Sequence, residues 1–265
     1  MIDRADAWKL GARVYGAAAM AFGLIGLTWG EFSIVFQPVP DSLPHRTALA
    51  YVVAACLLAG GAAIQVRRIA RPGLVVVTAL YFMFAMGWAR RVVLYPHIFS
   101  TWNGCAEQIA LAAAGVIAYA AVAPGGPTWT IRAAEPARVL FAICALSFGV
   151  EHFYEFAQTA NMVPAWLPPG QRFWAATTGV AHLLAGTAIL SGVLGVLAAR
   201  LLTLMFVIFG ALVWAPALFG APQQHFVWTA NAVNLAAAGA AWVVADWLSS
   251  GVHAEMAARD GAGHV

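Results

Sequence analysis

The chain reads as an all-α polytopic membrane protein, with eight transmembrane helices arranged as two tandem, parallel four-helix units. Three observations predict this. Of the 265 residues 62% are hydrophobic and only 9% charged, whereas soluble domains carry roughly 25% charge. The apolar residues gather into runs able to cross a ~30 Å hydrocarbon core at about 1.5 Å per residue. Motifs of the first half also recur in the second at offsets of 120 to 126 residues. Disorder is excluded by the hydrophobicity. A disulfide scaffold is excluded because Cys56, Cys105 and Cys144 all fall inside apolar runs.

The eight runs are 11–32, 47–66, 72–95, 102–122, 137–157, 172–194, 198–219 and 227–248. Residues 1–10 precede them as a cytoplasmic tail too charged and short for a signal sequence, so no cleaved leader is expected. Pro38, Pro40 and Pro44 close the first run, and Arg71-Pro72-Gly73 separates the second from the third. Pro124-Gly125-Gly126-Pro127 ends the first unit, 11–122, and lies in a linker over 123–136. Within the second unit, 137–248, Pro164, Pro168, Pro169 and Gly170 divide runs five and six. Only Gly192 and Gly195 mark the next boundary, which leaves seven or nine spans as the alternative counts. The polar tail 249–265 is expected to be disordered.

Orientation follows the cationic side chains. With eight spans, ten of the 14 Lys and Arg residues share the side of the termini and four (Arg46, Arg90, Arg91, Arg172) lie opposite. Both termini are therefore expected in the cytoplasm of a bacterial inner membrane. The pI of about 9.0 reflects these arginines, which suit an anionic membrane face rather than nucleic acid. Beyond the bilayer itself no partner or oligomeric state is legible. The chain shows no phosphate-binding glycine loop, Cys-x-x-Cys or nucleophile elbow, so whether it is an enzyme stays open.

Ionisable groups inside spans cost about 2.5–3.5 kcal/mol each on insertion scales and mark candidate sites. In the first unit Glu31, Arg90, Arg91 and Glu107 share the outer third of their runs, which predicts a structural ion-pair cluster. In the second, Glu151, His152 and Glu155 are neighbours at helical spacing, and His182 lies on the following helix. Trp174, Trp214 and Asn231 are expected to wall this cluster. Three readings stand: a packing network, a quinol or proton-handling site, and a metal or haem site. The metal reading is the weakest, because the second unit carries a single His-x-x-Glu and Cys56 stands at the offset of His182. No metal is assigned.

The repeat rests on ordered matches. Val39-Pro40-Asp41-Ser42-Leu43-Pro44 matches Val163-Pro164-Ala165-Trp166-Leu167-Pro168, Leu57-Leu58-Ala59-Gly60 matches Leu183-Leu184-Ala185-Gly186, and Leu111-Ala112-Ala113-Ala114-Gly115 matches Leu235-Ala236-Ala237-Ala238-Gly239. Four spans return the chain to its starting side, so the units are parallel. Gly149-Val150-Glu151-His152-Phe153, the Val163–Pro168 loop, Phe173-Trp174-Ala175 and Thr178-Gly179-Val180-Ala181-His182-Leu183-Leu184-Ala185-Gly186 resemble the DoxX-like family of small bacterial membrane proteins. The resemblance covers 137–248 and, through the repeat, touches 11–122. It departs at Val213-Trp214-Ala215-Pro216, where a family His-x-Pro motif is replaced by tryptophan. The resemblance implies a four-helix fold for the second unit, and a non-catalytic or accessory subunit of a quinone-linked redox assembly. The partners would be other membrane redox subunits, with quinone as the one ligand suggested. A ligand-free scaffold and a small-solute carrier are the alternatives, the carrier disfavoured because no proline interrupts a span away from its end.

Overall fold

The computed structural model describes residues 4–33, 35–122 and 128–250. Ten α-helices occur among them: α1 (Arg4–Trp29), α2 (Arg46–Gln65), α3 (Ala70–Leu94), α4 (Phe99–Val122), α5 (Thr128–Tyr154), α6 (Phe156–Met162), α7 (Gln171–Ser191), α8 (Gly195–Phe209), α9 (Ala215–Gly220) and α10 (His225–Ser249). A π-helical segment, Gly210–Trp214, joins α8 to α9, so these three form one span. Among the described residues eight helical spans are long and apolar enough to cross a membrane. The expected tail over 249–265 falls almost wholly outside the described residues.

The helices pack as a ring in the order α1, α2, α3, α4, α5, α7, α8, α10, with α10 closing back on α1 and also touching α4 across the middle. Close approach comes from small residues rather than from an amphipathic stripe. A Cβ on Gly23 would lie 2.6 Å from the Leu58 nitrogen of α2, and one on Gly239 would lie 2.6 Å from the Tyr15 nitrogen of α1. The Ala-rich stretches of α4 and α10 are accordingly buried almost throughout.

Several boundaries move. Helix α5 starts at Thr128 and runs through Pro136, so the later part of the expected 123–136 linker is helical. Arg138 is buried within it, paired to Glu135 at 3.0 Å and donating from Nη1 to the carbonyl of Ile189 on α7. The fifth run also ends early. The helix stops at Tyr154, and Glu155 is a turn residue that precedes the short α6.

At the end of the bundle remote from Arg4 and Ser249 (the distal end), three helix starts share one device. Trp102, Trp174 and Trp228 each donate the indole N–H to the carbonyl of the proline six residues earlier, Pro96, Pro168 and Pro222, at 2.9 to 3.0 Å. The proline turns the chain, and the tryptophan one turn into the helix fastens it at interface depth.

Candidate functional site

A cavity of about 800 Å³ lies between α4, α5, α6, α7, α8 and α10. That is within the usual size of small-molecule sites. Its mouth is formed by Val163, Pro164 and Leu167, and its wall reaches Ala240. Ala240 lies 15 residues beyond His225, the distal start of α10, or about 22 Å at 1.5 Å per residue. Leu201, Leu204 and Ile208 of α8, within the Gly195–Gly220 span, line the cavity and are exposed. The cavity therefore opens sideways at hydrocarbon depth as well as toward the distal end.

The polar groups come from four helices. Glu151 and Glu155 follow each other around the end of α5, with Glu155 donating its N–H to the Glu151 carbonyl at 2.8 Å. Their side chains, with His152, line the mouth. His182 sits one helix away on α7, only 2% exposed, its ring centroid 4.8 Å from that of His152. Phe148 and Phe206 meet the His182 ring edge-on at 6.1 and 5.6 Å. Each imidazole donates Nδ1–H to the carbonyl one turn back: His152 to Phe148 at 2.7 Å, His182 to Thr178 at 2.9 Å. A backbone carbonyl thus sets the His152 tautomer. In a neutral imidazole the remaining Nε2 is then an acceptor.

Trp174 and Trp214 line the cavity, and Asn231 does not. Its amide donates to the Trp214 carbonyl at 2.8 Å and to the Val227 carbonyl at 2.9 Å. Asn234, one turn further, does line the cavity and donates to the Phe206 carbonyl at 2.9 Å. The two asparagines therefore hold α10 against the π-helical interruption of the α8–α9 span. This interruption, which ends two residues before Pro216, lies within the Gly195–Gly220 span, where the sequence reading expected no break.

The expected ion-pair cluster does not form. Among the described residues no ion pair joins Glu31, Arg90, Arg91 and Glu107. Arg91 stacks over Trp88 at 5.0 Å, and Arg90 is exposed. Glu31 is exposed near His225, whose ring stacks on Trp29 at 4.9 Å. Glu107 faces the other way, into the cavity beside Glu151. Shared depth sets height along the bilayer normal but not azimuth, and Glu107 lies on the face of α4 that packs on α5. Asn103, one turn before it, also lines the cavity, with its amide toward Glu151 and its Oδ1 unpartnered. Sequence reasoning missed Glu107, Asn103 and Asn234 as members of the site. The signal for Glu107 was a lone carboxylate in the Ala-rich helix that precedes α5.

Among the described residues no three His, Cys, Asp or Glu side chains are grouped to hold a metal ion. A family model described as a domain of unknown function (DUF8561) matches residues 141–245. The matched stretch runs from within α5 to within α10 and includes both histidines, Glu151, Glu155 and the helix interruption. No curated protein and no solved structure matches the chain.

Proposed function

We propose that the protein binds the ring of a lipid-borne quinone-class molecule in this cavity, as an accessory, non-catalytic subunit of a quinone-linked redox assembly in the bacterial cytoplasmic membrane. The observation that carries this reading is the cavity's sideways opening between Leu201, Leu204 and Ile208 on one side and the His152–His182 pair within. A lipid-borne headgroup can reach such a site without leaving the bilayer, while a hydrophilic solute must come through the distal mouth. Trp214 and the Phe148 and Phe206 rings offer faces against which a planar ring packs. The DoxX-like motifs of residues 149–186 support the same reading, as does the membership of His152 and His182 in one wall. Other membrane redox subunits would be the partners. The two-unit organisation is supported by parallel pairings, α1–α2–α3–α4 against α5–α7–α8–α10, and by Pro96/Trp102 and Pro222/Trp228, which recur at an offset of 126.

The test is binding of a short-tailed benzoquinone to the purified protein in detergent, followed by calorimetry, with extraction of any co-purified quinone. His152→Ala is expected to weaken binding at least tenfold while the thermal transition moves little. Absence of binding by the unaltered protein, or collapse of the variant's fold with no effect on binding in His182→Ala, would count against the site.

A small-solute carrier is the second reading, favoured by the interruption at Gly210–Trp214, since discontinuous helices accompany transport sites.

A further inference from the structure

The lining of the cavity changes character with depth. Past Glu107 on α4, Phe148 on α5, Phe206 on α8 and Asn234 on α10, every lining residue toward the terminal end is apolar. The last on each helix are Leu111, Phe141, Leu201 and Ala240, and on α7 nothing beyond His182 contributes. Leu201 and Leu204 belong to this apolar part and are exposed, so it is the part that meets the surrounding chains. The polar part, toward the distal end, holds hydrogen-bond donors: the Gln158 amide, the Ser100, Thr159 and Thr177 hydroxyls and the Trp214 indole. It also holds three carboxyl side chains, Glu107, Glu151 and Glu155. Among the described residues no Lys or Arg lines any part of the cavity. Arg172, at the start of α7, stacks over Phe156 at 5.0 Å and stays outside it.

We infer that the cavity admits lipid-borne molecules with an uncharged head and turns away phosphate- and carboxylate-headed ones, with Glu107, Glu151 and Glu155 as the excluding groups. A chamber open to hydrocarbon is surrounded by phospholipid, and its apolar part cannot tell one alkyl chain from another. Selection therefore falls to the head. An anion drawn out of water needs a compensating cation, and here it would meet three carboxyls and no Lys or Arg. Ionised, those carboxyls repel it; protonated, they supply no positive charge. Each imidazole already turns its Nδ1–H to a backbone carbonyl, so a neutral His152 or His182 offers an anion no N–H. A carbonyl or ether head sheds less hydration and finds the amide, indole and hydroxyl donors. Specificity of this kind comes from what the site repels as much as from what it attracts. This inference rests on the reading above that a lipid-borne ring enters the cavity.

The experiment titrates the full-length protein, in an uncharged detergent at pH 8, with two probes of the same shape and tail: 4-decylbenzamide and 4-decylbenzoate. Affinities are expressed per mole of micellar probe, which removes the difference in partition. The amide is expected to bind at least tenfold more tightly than the benzoate. In the double variant Glu107→Gln/Glu151→Gln that ratio should fall at least fivefold, because the repelling groups become neutral amides of similar size. The two-probe comparison on the unaltered protein stands by itself if the variant fails to fold. Equal or tighter binding of benzoate overturns the exclusion but leaves ring binding intact, and its loss in His182→Phe would then identify an imidazolium as the anion's partner. An unchanged ratio in the double variant overturns the role given to the carboxyls. No binding by either probe removes the underlying reading as well.

Discussion

The Phe36 carbonyl accepts two side-chain hydrogen bonds, from Trp88 Nε1 on α3 at 3.3 Å and from Gln108 Nε2 on α4 at 2.9 Å. Both donors are buried, and Phe36 itself is 1% exposed, stacked on Phe22 at 4.4 Å. These contacts hold the segment after α1 inside the bundle, next to the cavity wall that Val35 and Phe36 help to form. Because the two donors share one acceptor, losing either leaves the carbonyl satisfied by the other. Gln108→Leu and Trp88→Phe are each expected to cost about 1 kcal/mol through the lost bond, and the double variant more than the sum. Thermal unfolding of the four proteins in detergent measures this. Strict additivity would show that the shared carbonyl is not what couples them.

At the scale of the element, the interrupted α8–α9 span is the feature that most depends on its neighbour. A proline at 216 cannot return a hydrogen bond to the preceding turn, and the backbone widens into a π-helical turn over Gly210–Trp214. Such breaks are tolerated in a bilayer only where another group meets the freed backbone. Here Asn231 bonds the Trp214 carbonyl and Asn234 the Phe206 carbonyl, which ties α10 to both sides of the interruption. Asn231→Leu should destabilise the folded protein by about 1–2 kcal/mol without changing ring binding, since its side chain is outside the cavity. Asn234→Leu should do both, since it also lines the wall. Unfolding curves and calorimetry on the pair separate the two roles. Equal effects on binding would mean that the interruption, not the lining, shapes the site.

For the whole molecule, eight spans return the chain to its starting side, and ten of the 14 cationic side chains lie with the termini. Reporter fusions at residues 128 and 265 are accordingly expected to report the cytoplasm at both positions. A periplasmic signal at either would overturn this topology. The distal tryptophans are consistent with an interface at that level. Trp102 and Trp228 are 48% and 38% exposed while their indole N–H groups stay bonded to Pro96 and Pro222, which combines an anchored end with an apolar face toward lipid.

The amino-acid order alone was enough to establish the class, the eight spans and most helix ends. Burying an apolar run in lipid is a sum over its own residues, and proline and glycine act locally on the backbone. It also located the Glu151, His152, Glu155 and His182 group, because helical spacing and a short α5–α7 connection constrain neighbours. It did not reveal that Glu107 turns to Glu151 rather than to Arg90 and Arg91, or that Asn231 braces a broken helix instead of lining the site. Lipid and protein interior are almost equally apolar, so the hydrophobic pattern that tells a soluble helix which face is inward is nearly absent here. The azimuth of each helix is decided by small-residue contacts such as Gly23 on Leu58 and Gly239 on Tyr15. Those contacts exist only once the helices meet, and with them come the cavity, its opening toward lipid and the tautomers of its two histidines.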